Sequence, residues 1–254
     1  MSDALLKLTG ITKRFGPVDV LRGVELEIRE SEAVGLIGDN GAGKSTLVKI
    51  LGGVYAPSSG TIEIDGVPVR LSEPLDARTR GVEVIHQDLA LCDDLDVASN
   101  LFLGREARRR VGPFRWLDRR QMRADAAPLL ERLGVDFSVE RQVGELSGGQ
   151  RQLVAVARAL QFSPRLLLMD EPTAALSNKK VHHMLGLVER LKQEGVAVLL
   201  ISHRFTDVIH LCDRIVALRD GQVAQELRPG GQSMAELMAE MQVALTGEPV
   251  GGVA

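Results

Sequence analysis

Short apolar runs alternate along this chain with longer amphipathic stretches, and the two periods separate strands from helices. Residues 4–9 predict a first strand, and Val20, Val24, Leu26 and Ile28 place a half-buried strand over 20–28. The run Ala33-Val34-Gly35-Leu36-Ile37 passes into a Gly-rich loop, and Gly43–Leu51 continues as a helix. Ser58-Ser59-Gly60 turns the chain into a strand and turn over 61–66, and 82–85 is a further short strand. From about Leu95 to Gln161 the pattern becomes mainly helical, with apolar positions at helical spacing from Ala126 to Leu133. Leu166–Met169 and Val196–Ile201 are apolar runs flanking a helix over 178–194. There Val181, Met184, Leu185, Val188 and Leu191 follow the i, i+3, i+4, i+7 pattern. Residues 213–219 and 222–227 predict closing strands, and 234–245 a terminal helix before a frayed, Gly-rich end from Gly247. Apolar strands alternating with helices predict an α/β fold whose parallel sheet is covered on both faces. No internal repeat is visible.

Composition adds limits to this picture. The 254 residues are 44% hydrophobic and 26% charged, enough to bury one large core or two small ones and too apolar for disorder. A net charge of -3 gives the whole chain no electrostatic basis for binding polyanions. No run of about 18 apolar residues predicts a membrane-spanning helix. The first residues show no basic region followed by an apolar core, so no secretory signal is expected. Cys92 and Cys212 lack metal-site or redox spacing and read as reduced thiols. The expectation at this level is a self-sufficient, soluble cytoplasmic globule.

Three segments carry chemistry. Gly38-Asp39-Asn40-Gly41-Ala42-Gly43-Lys44-Ser45 matches G-x-x-x-x-G-K-[ST] between a predicted strand and helix. Its glycines let backbone N–H groups point at phosphate oxygens, and the helix adds its positive end. Lys44 can reach β- and γ-phosphates, and the Ser45 hydroxyl can ligate Mg²⁺. Leu166-Leu167-Leu168-Met169 ends in Asp170 and Glu171. Asp170 is placed to hold a Mg²⁺ shell and Glu171 to orient an attacking water. Leu146-Ser147-Gly148-Gly149-Gln150 opens a helical stretch and makes a second anion-binding end. One chain with one phosphate loop leaves that second end without a phosphate of its own.

These segments, followed by His203, stand in an order and spacing that resembles the ATP-binding cassette ATPases over nearly the whole chain. The resemblance implies a P-loop NTPase cassette. It would have a RecA-like parallel core, an N-terminal antiparallel β subdomain (about 3–91 and 158–228 together) and an inserted helical subdomain (about 92–157). A C-terminal helix (about 233–245) and a tail (246–254) would follow. It implies ATP and Mg²⁺ as cofactors. By position, Phe15 would stack on adenine with Val20 beside it, and Gly38 to Thr46 would form the phosphate loop. Gln87 would ligate Mg²⁺ and sense the γ-phosphate, Asp170 would hold the metal, Glu171 would be the catalytic base and His203 the γ-phosphate contact. Ser147, Gly149 and Gln150 would contact ATP held by an opposite cassette. Ser177 stands where the family commonly has Asp, so that loop brings no charge to the dimer interface.

The run Gln87–Val97, continuing through Asn100 to Glu106, is similar to the monosaccharide importers of the ribose, galactose and fructose type, in single-cassette form. That branch implies ATP-driven head-to-tail dimer closure with a second copy or a paralogous cassette. It also implies an integral membrane permease gripped near the segment after Gln87. An extracytoplasmic sugar-binding protein would lie beyond, and the cassette itself at the inner face of the membrane. A soluble ATPase of iron–sulfur cofactor assembly is the alternative, and a nucleic-acid-associated ATPase a more distant one; no nucleic acid partner is expected. Residues 105–123 hold eight arginines against Glu106 and Asp118, with Phe114 and Trp116 interleaved. This segment reads either as a solvated face of the helical subdomain or as a contact for nucleic acid or acidic lipid.

Overall fold

A computed structural model describes residues 4–111, 113–172 and 178–247. The chain opens with two long antiparallel strands, β1 (Ala4–Phe15) and β2 (Val18–Arg29). The first buried strand, β3 (Ala33–Ile37), runs through the phosphate loop into α1 (Lys44–Leu51). Next come β4 (Ser59–Ile64), β5 (Val67–Val69), α2 (Pro74–Thr79) and β6 (Val82–Ile85). The middle of the chain forms α3 (Val97–Leu101), the hairpin β7 (Arg108–Val111) and β8 (Phe114–Leu117), α4 (Arg119–Arg132) and α5 (Gly148–Leu160). The last part forms β9 (Leu166–Asp170), α6 (Asn178–Gln193), β10 (Ala197–Ile201) and α7 (Phe205–Leu211). It closes with β11 (Arg214–Arg219), β12 (Gln222–Leu227) and α8 (Met234–Thr246).

Among the described residues these strands make a four-stranded antiparallel sheet, β2-β1-β4-β5, and a six-stranded sheet, β12-β11-β3-β10-β9-β6. In the larger sheet all neighbours are parallel except β12, which closes the edge against β11. Its central strands are apolar on both faces because both are covered. Val34 and Leu36 of β3 pack with the β subdomain and α1, while Ala33 and Ile37 pack with the helices on the other side. The same split divides Leu166 and Leu168 from Leu167 and Met169 in β9. In α6, Met184, Leu187, Val188 and Leu191 are buried at the spacing expected of one helix face.

Two sequence expectations change here. The mainly helical stretch 95–161 does carry α3, α4 and α5, but β7 and β8, which the pattern does not predict, lie between them. Pro113 lacks the N–H a helix interior needs, and residues 108–111 and 114–117 pair as strands instead. The first strand extends to Phe15 rather than ending at residue 9, since pairing with β2 and β4 satisfies backbone groups that the alternation alone does not reveal. Ser177, read above as an uncharged residue where the family commonly has Asp, lies outside the described residues.

Candidate nucleotide site

Strand register gathers the candidate residues at one end of the large sheet. Leu36 of β3 lies opposite Ile201 of β10, Ile201 opposite Asp170 of β9, and Met169 opposite Ile85 of β6. Gly38, His203, Glu171 and Gln87 therefore all leave the sheet at the carboxyl ends of adjacent parallel strands. Open α/β sheets collect ligand-binding residues there.

The phosphate loop is shaped by its neighbours. Gly43 takes φ 105° and sits against β2, where a Cβ would meet Leu21 Cδ2 at 2.6 Å and the Val20 carbonyl at 3.0 Å. A Cβ on Gly38 would lie 2.5 Å from the Leu218 carbonyl. Asp39, Asn40, Gly41 and Ser45 face outward, while Ala42 is buried and Thr46 half-buried. The Lys44 ammonium folds back across the loop, donating to the carbonyls of Gly38 at 2.5 Å and Asp39 at 3.0 Å. Burial holds its pKa below the ordinary lysine value, with Glu171, Asp39 and Asp170 pulling the other way.

Two carboxylates face this lysine. Burial, then the Glu171 charge, pushes the Asp170 carboxyl above its usual range, against the attraction of His86, Lys44 and Lys49. Glu171 turns sharply off β9 in the left-handed region, at φ 54°, and donates its N–H to the Ile201 carbonyl at 2.9 Å. Holding a non-glycine residue there costs on the order of 1 kcal/mol or more. The turn brings Glu171 Oε2 within 2.8 Å of His203 Nδ1, yet Oε2 is buried without a hydrogen-bond partner among the described residues. His203 itself is 67% exposed. Two neighbouring carboxyl groups, one of them pushed above its usual range first by burial and then by the other's charge, make a place where a cation, a bound water and phosphate would relieve an electrostatic cost. Among the described residues no three acidic, histidine or cysteine side chains cluster as a complete metal site. The donors available are the Ser45 hydroxyl, the Asp170 carboxylate and the Gln87 amide. Such a partial set suits Mg²⁺, which keeps several waters and substrate phosphates in its shell.

Phe15 is 40% exposed at the end of β1, its ring edge-on to Tyr55 with centroids 5.3 Å apart. The Lys13 ammonium stands 5.0 Å from the Phe15 ring and 5.5 Å from the Tyr55 ring. Val20 is half-buried on β2. Sequence reasoning missed Tyr55 and Lys13; the solitary tyrosine just after α1 was the available signal.

Ser147, Gly149 and Gln150 are not gathered into this cluster. They start α5, which packs chiefly on α3, α4 and β6, and Gln150 Oε1 accepts from the Ser147 N–H at 3.0 Å in a capping box. Two arginines missed from the sequence tie α5 to the segment after Gln87. Arg151 reaches Asp93 at 2.5 Å, and Arg158 donates to the carbonyls of Leu89 at 2.6 Å and Ala90 at 2.9 Å. Gln87 is exposed at the start of that segment. Beside it, α2, β6 and α5 enclose a groove of about 350 Å³ whose wall includes Arg78, Glu83, His86, Arg158 and Phe162. Burial raises the Glu83 carboxyl above its usual range, offset first by Arg78.

A parallel sheet with a phosphate loop after one strand and acids after a neighbouring one defines a P-loop nucleotide-binding protein of the α/β class. The ABC transporter family model matches residues 21–174, and the chain belongs to that family. It is 43% identical over 244 residues to a ribose import ATP-binding protein RbsA 1 of Burkholderia thailandensis, covering 95% of this chain and 48% of the relative. It is 42% identical to a ribose import ATP-binding protein RbsA 2 of Streptomyces avermitilis, covering 93% and 46%. The chain thus spans about half the length of the curated relatives it matches. Among solved structures it resembles a nucleotide-free ATP-binding cassette from an ABC transporter, with TM-score 0.83, 27% identity, and coverage of 95% of this chain and 97% of that one. A dimeric ATP-binding cassette bound to ADP and Pi matches with TM-score 0.74 and 28% identity, over 89% of this chain and 100% of that one.

Proposed function

We propose that this chain binds and hydrolyses ATP with Mg²⁺ and powers a membrane importer, with a monosaccharide of the ribose type as cargo. The observation that carries the reading is the convergence of Lys44, Asp170, Glu171 and His203 at the carboxyl ends of adjacent strands, with Glu171 2.8 Å from His203. Phe15 and Val20 flank the adenine, and the amides of 38–46 hold the phosphates. Lys44 exchanges its loop carbonyls for phosphate oxygens and carries their charge. Ser45, Asp170 and Gln87 would hold Mg²⁺, which when bound neutralises charge on the β- and γ-phosphates. Glu171 holds a water in line with the γ-phosphate, and His203 donates to that phosphate as charge develops.

The start of α5 lies outside this cluster, which supports a site completed by Ser147, Gly149 and Gln150 of a second cassette. That cassette is another copy or a paralogue, joined head to tail and parted on hydrolysis. The groove beside Gln87 would seat a membrane permease, with a sugar-binding protein on its far side. Among the described residues no helix is long and apolar enough to cross a membrane. The relatives' import role supports a cytoplasmic position held at the membrane by that permease.

Glu171→Gln tests the reading. It should keep ATP affinity, abolish turnover and trap an ATP-bound dimer on gel filtration; a dimer fraction that ATP does not change overturns it.

A further inference from the structure

The hairpin β7–β8 carries side chains that folding does not use. Phe114 is 66% exposed, Trp116 60% and Leu117 42%. Side chains alternate along a strand, so Phe114 and Trp116 share one face, with Arg109 directly opposite Trp116. The other face sets Arg110 opposite Arg115 and Arg108 opposite Leu117. Like charges placed directly opposite one another destabilise a sheet, and a lone two-stranded ribbon is marginal in water. Among the described residues Arg109, Arg110 and Arg115 have no ion-pair partner, and Arg108 is 3.8 Å from Glu106. The composition therefore points outward, to an anionic surface that also accepts aromatic rings.

The base of the hairpin fixes where that surface lies. The Asp118 N–H donates to the Ala107 carbonyl at 2.7 Å, and the Arg105 guanidinium stacks 3.6 Å from the centroid of Phe162. Phe162 and Leu103 both line the groove beside Gln87. The hairpin thus springs from the rim of the groove assigned above to the permease.

We propose that this hairpin is a membrane-surface contact that binds anionic phospholipid head groups. The inference rests on the permease reading, which sets the groove rim beside the bilayer. Trp116 and Phe114 enter the interfacial layer, where aromatic side chains concentrate, while the arginine heads reach lipid phosphates in bidentate fashion. Each basic residue at an anionic surface strengthens binding about fivefold, so four together give several hundredfold at low salt. Nucleic acid offers similar phosphates, but the position at the groove rim selects the bilayer.

Trp116 is the single tryptophan, so its emission reports this surface directly. The purified full chain is titrated with phosphatidylcholine vesicles, with and without phosphatidylglycerol. The expected result is a blue shift and saturable co-sedimentation with the anionic vesicles alone, weakened by salt. Replacing Arg108, Arg109, Arg110 and Arg115 together by Glu should lower that binding at least about tenfold. Replacing all four by Lys should retain most of it, and both variants should keep the wild-type melting temperature and basal ATP hydrolysis. Equal binding to neutral and anionic vesicles, or full binding by the Glu variant, overturns the proposal. So does a single-stranded RNA oligonucleotide that shifts Trp116 more tightly than the vesicles and displaces them. The ATP-trapped dimer is measured in parallel on the same chains carrying Glu171→Gln. A hairpin that ignores vesicles in a chain that still dimerises overturns this proposal alone, and lipid binding without dimerisation overturns the nucleotide reading alone.

Discussion

Arg158→Met isolates the contact between α5 and the segment that follows Gln87. The wild-type guanidinium spans from the last turn of α5 to the Leu89 and Ala90 carbonyls, at 2.6 and 2.9 Å. Methionine keeps the length and the apolar stem but loses both donors. Hydrogen bonds from a charged group contribute roughly 1.5–3 kcal/mol each. The full sum is not expected. Ala90 is exposed and its carbonyl rehydrates, whereas Leu89 is half-buried. Burial also disfavours the charged guanidinium, lowering its pKa, and removing the charge recovers that cost. A net loss of about 1–2 kcal/mol remains, most of it local. Hydrogen exchange followed by mass spectrometry should show amides of 88–91 exchanging roughly tenfold faster, the equivalent of about 1.4 kcal/mol of local opening. The ATPase rate constant should fall more than ATP affinity, because Gln87 stands at the start of the loosened segment. Arg158→Lys, which can reach one carbonyl at a time, should lie between. A variant that melts earlier yet exchanges like wild type over 88–91 refutes the contact's proposed role.

Three further outcomes rest on other contacts of the same fold. Gly38→Ala forces a Cβ to within 2.5 Å of the Leu218 carbonyl, so calorimetry should show weaker ATP binding and urea unfolding a loss of about 1–3 kcal/mol. Burial pushes the Cys212 thiol far up, while Cys92 is exposed, so a thiol reagent should label one cysteine per native chain and two in denaturant. The folded-state pKa of Glu83 lies above the ordinary 4.5, so its contribution to stability is full below that value and lost as pH rises through the folded value. Glu83→Gln cannot titrate. Urea midpoints should therefore move in the variant's favour between pH 4 and pH 7, and the opposite trend would contradict the assigned burial.

Much of the site was legible because its chemistry is local. The phosphate loop needs glycines and a lysine within one short segment, and the acids stand directly at the end of an apolar strand. The α/β class followed from the same runs, since strands apolar on both faces must be covered on both faces. The Arg-rich segment misled on structure because its charges obscure periodicity; only the pairing of Arg109 with Trp116 and Arg110 with Arg115 reveals a hairpin. Tyr55, Arg151 and Arg158 carried no motif. Their importance lies in partners that are distant along the chain: Phe15, Asp93, and Leu89 with Ala90.

By itself, then, the sequence determined the phosphate-loop pattern and most of the strands and helices of the large sheet, because those depend on neighbours a few residues apart. Tertiary structure decided what those groups meet. The parallel register of β3, β10, β9 and β6 aligns four strand ends that lie up to 165 residues apart, from Gly38 to His203. The left-handed turn at Glu171 then aims its carboxylate at His203. The same packing sets the start of α5 against α3, α4 and β6, outside that cluster. Register and packing are set by contacts between distant segments, and no local pattern encodes them.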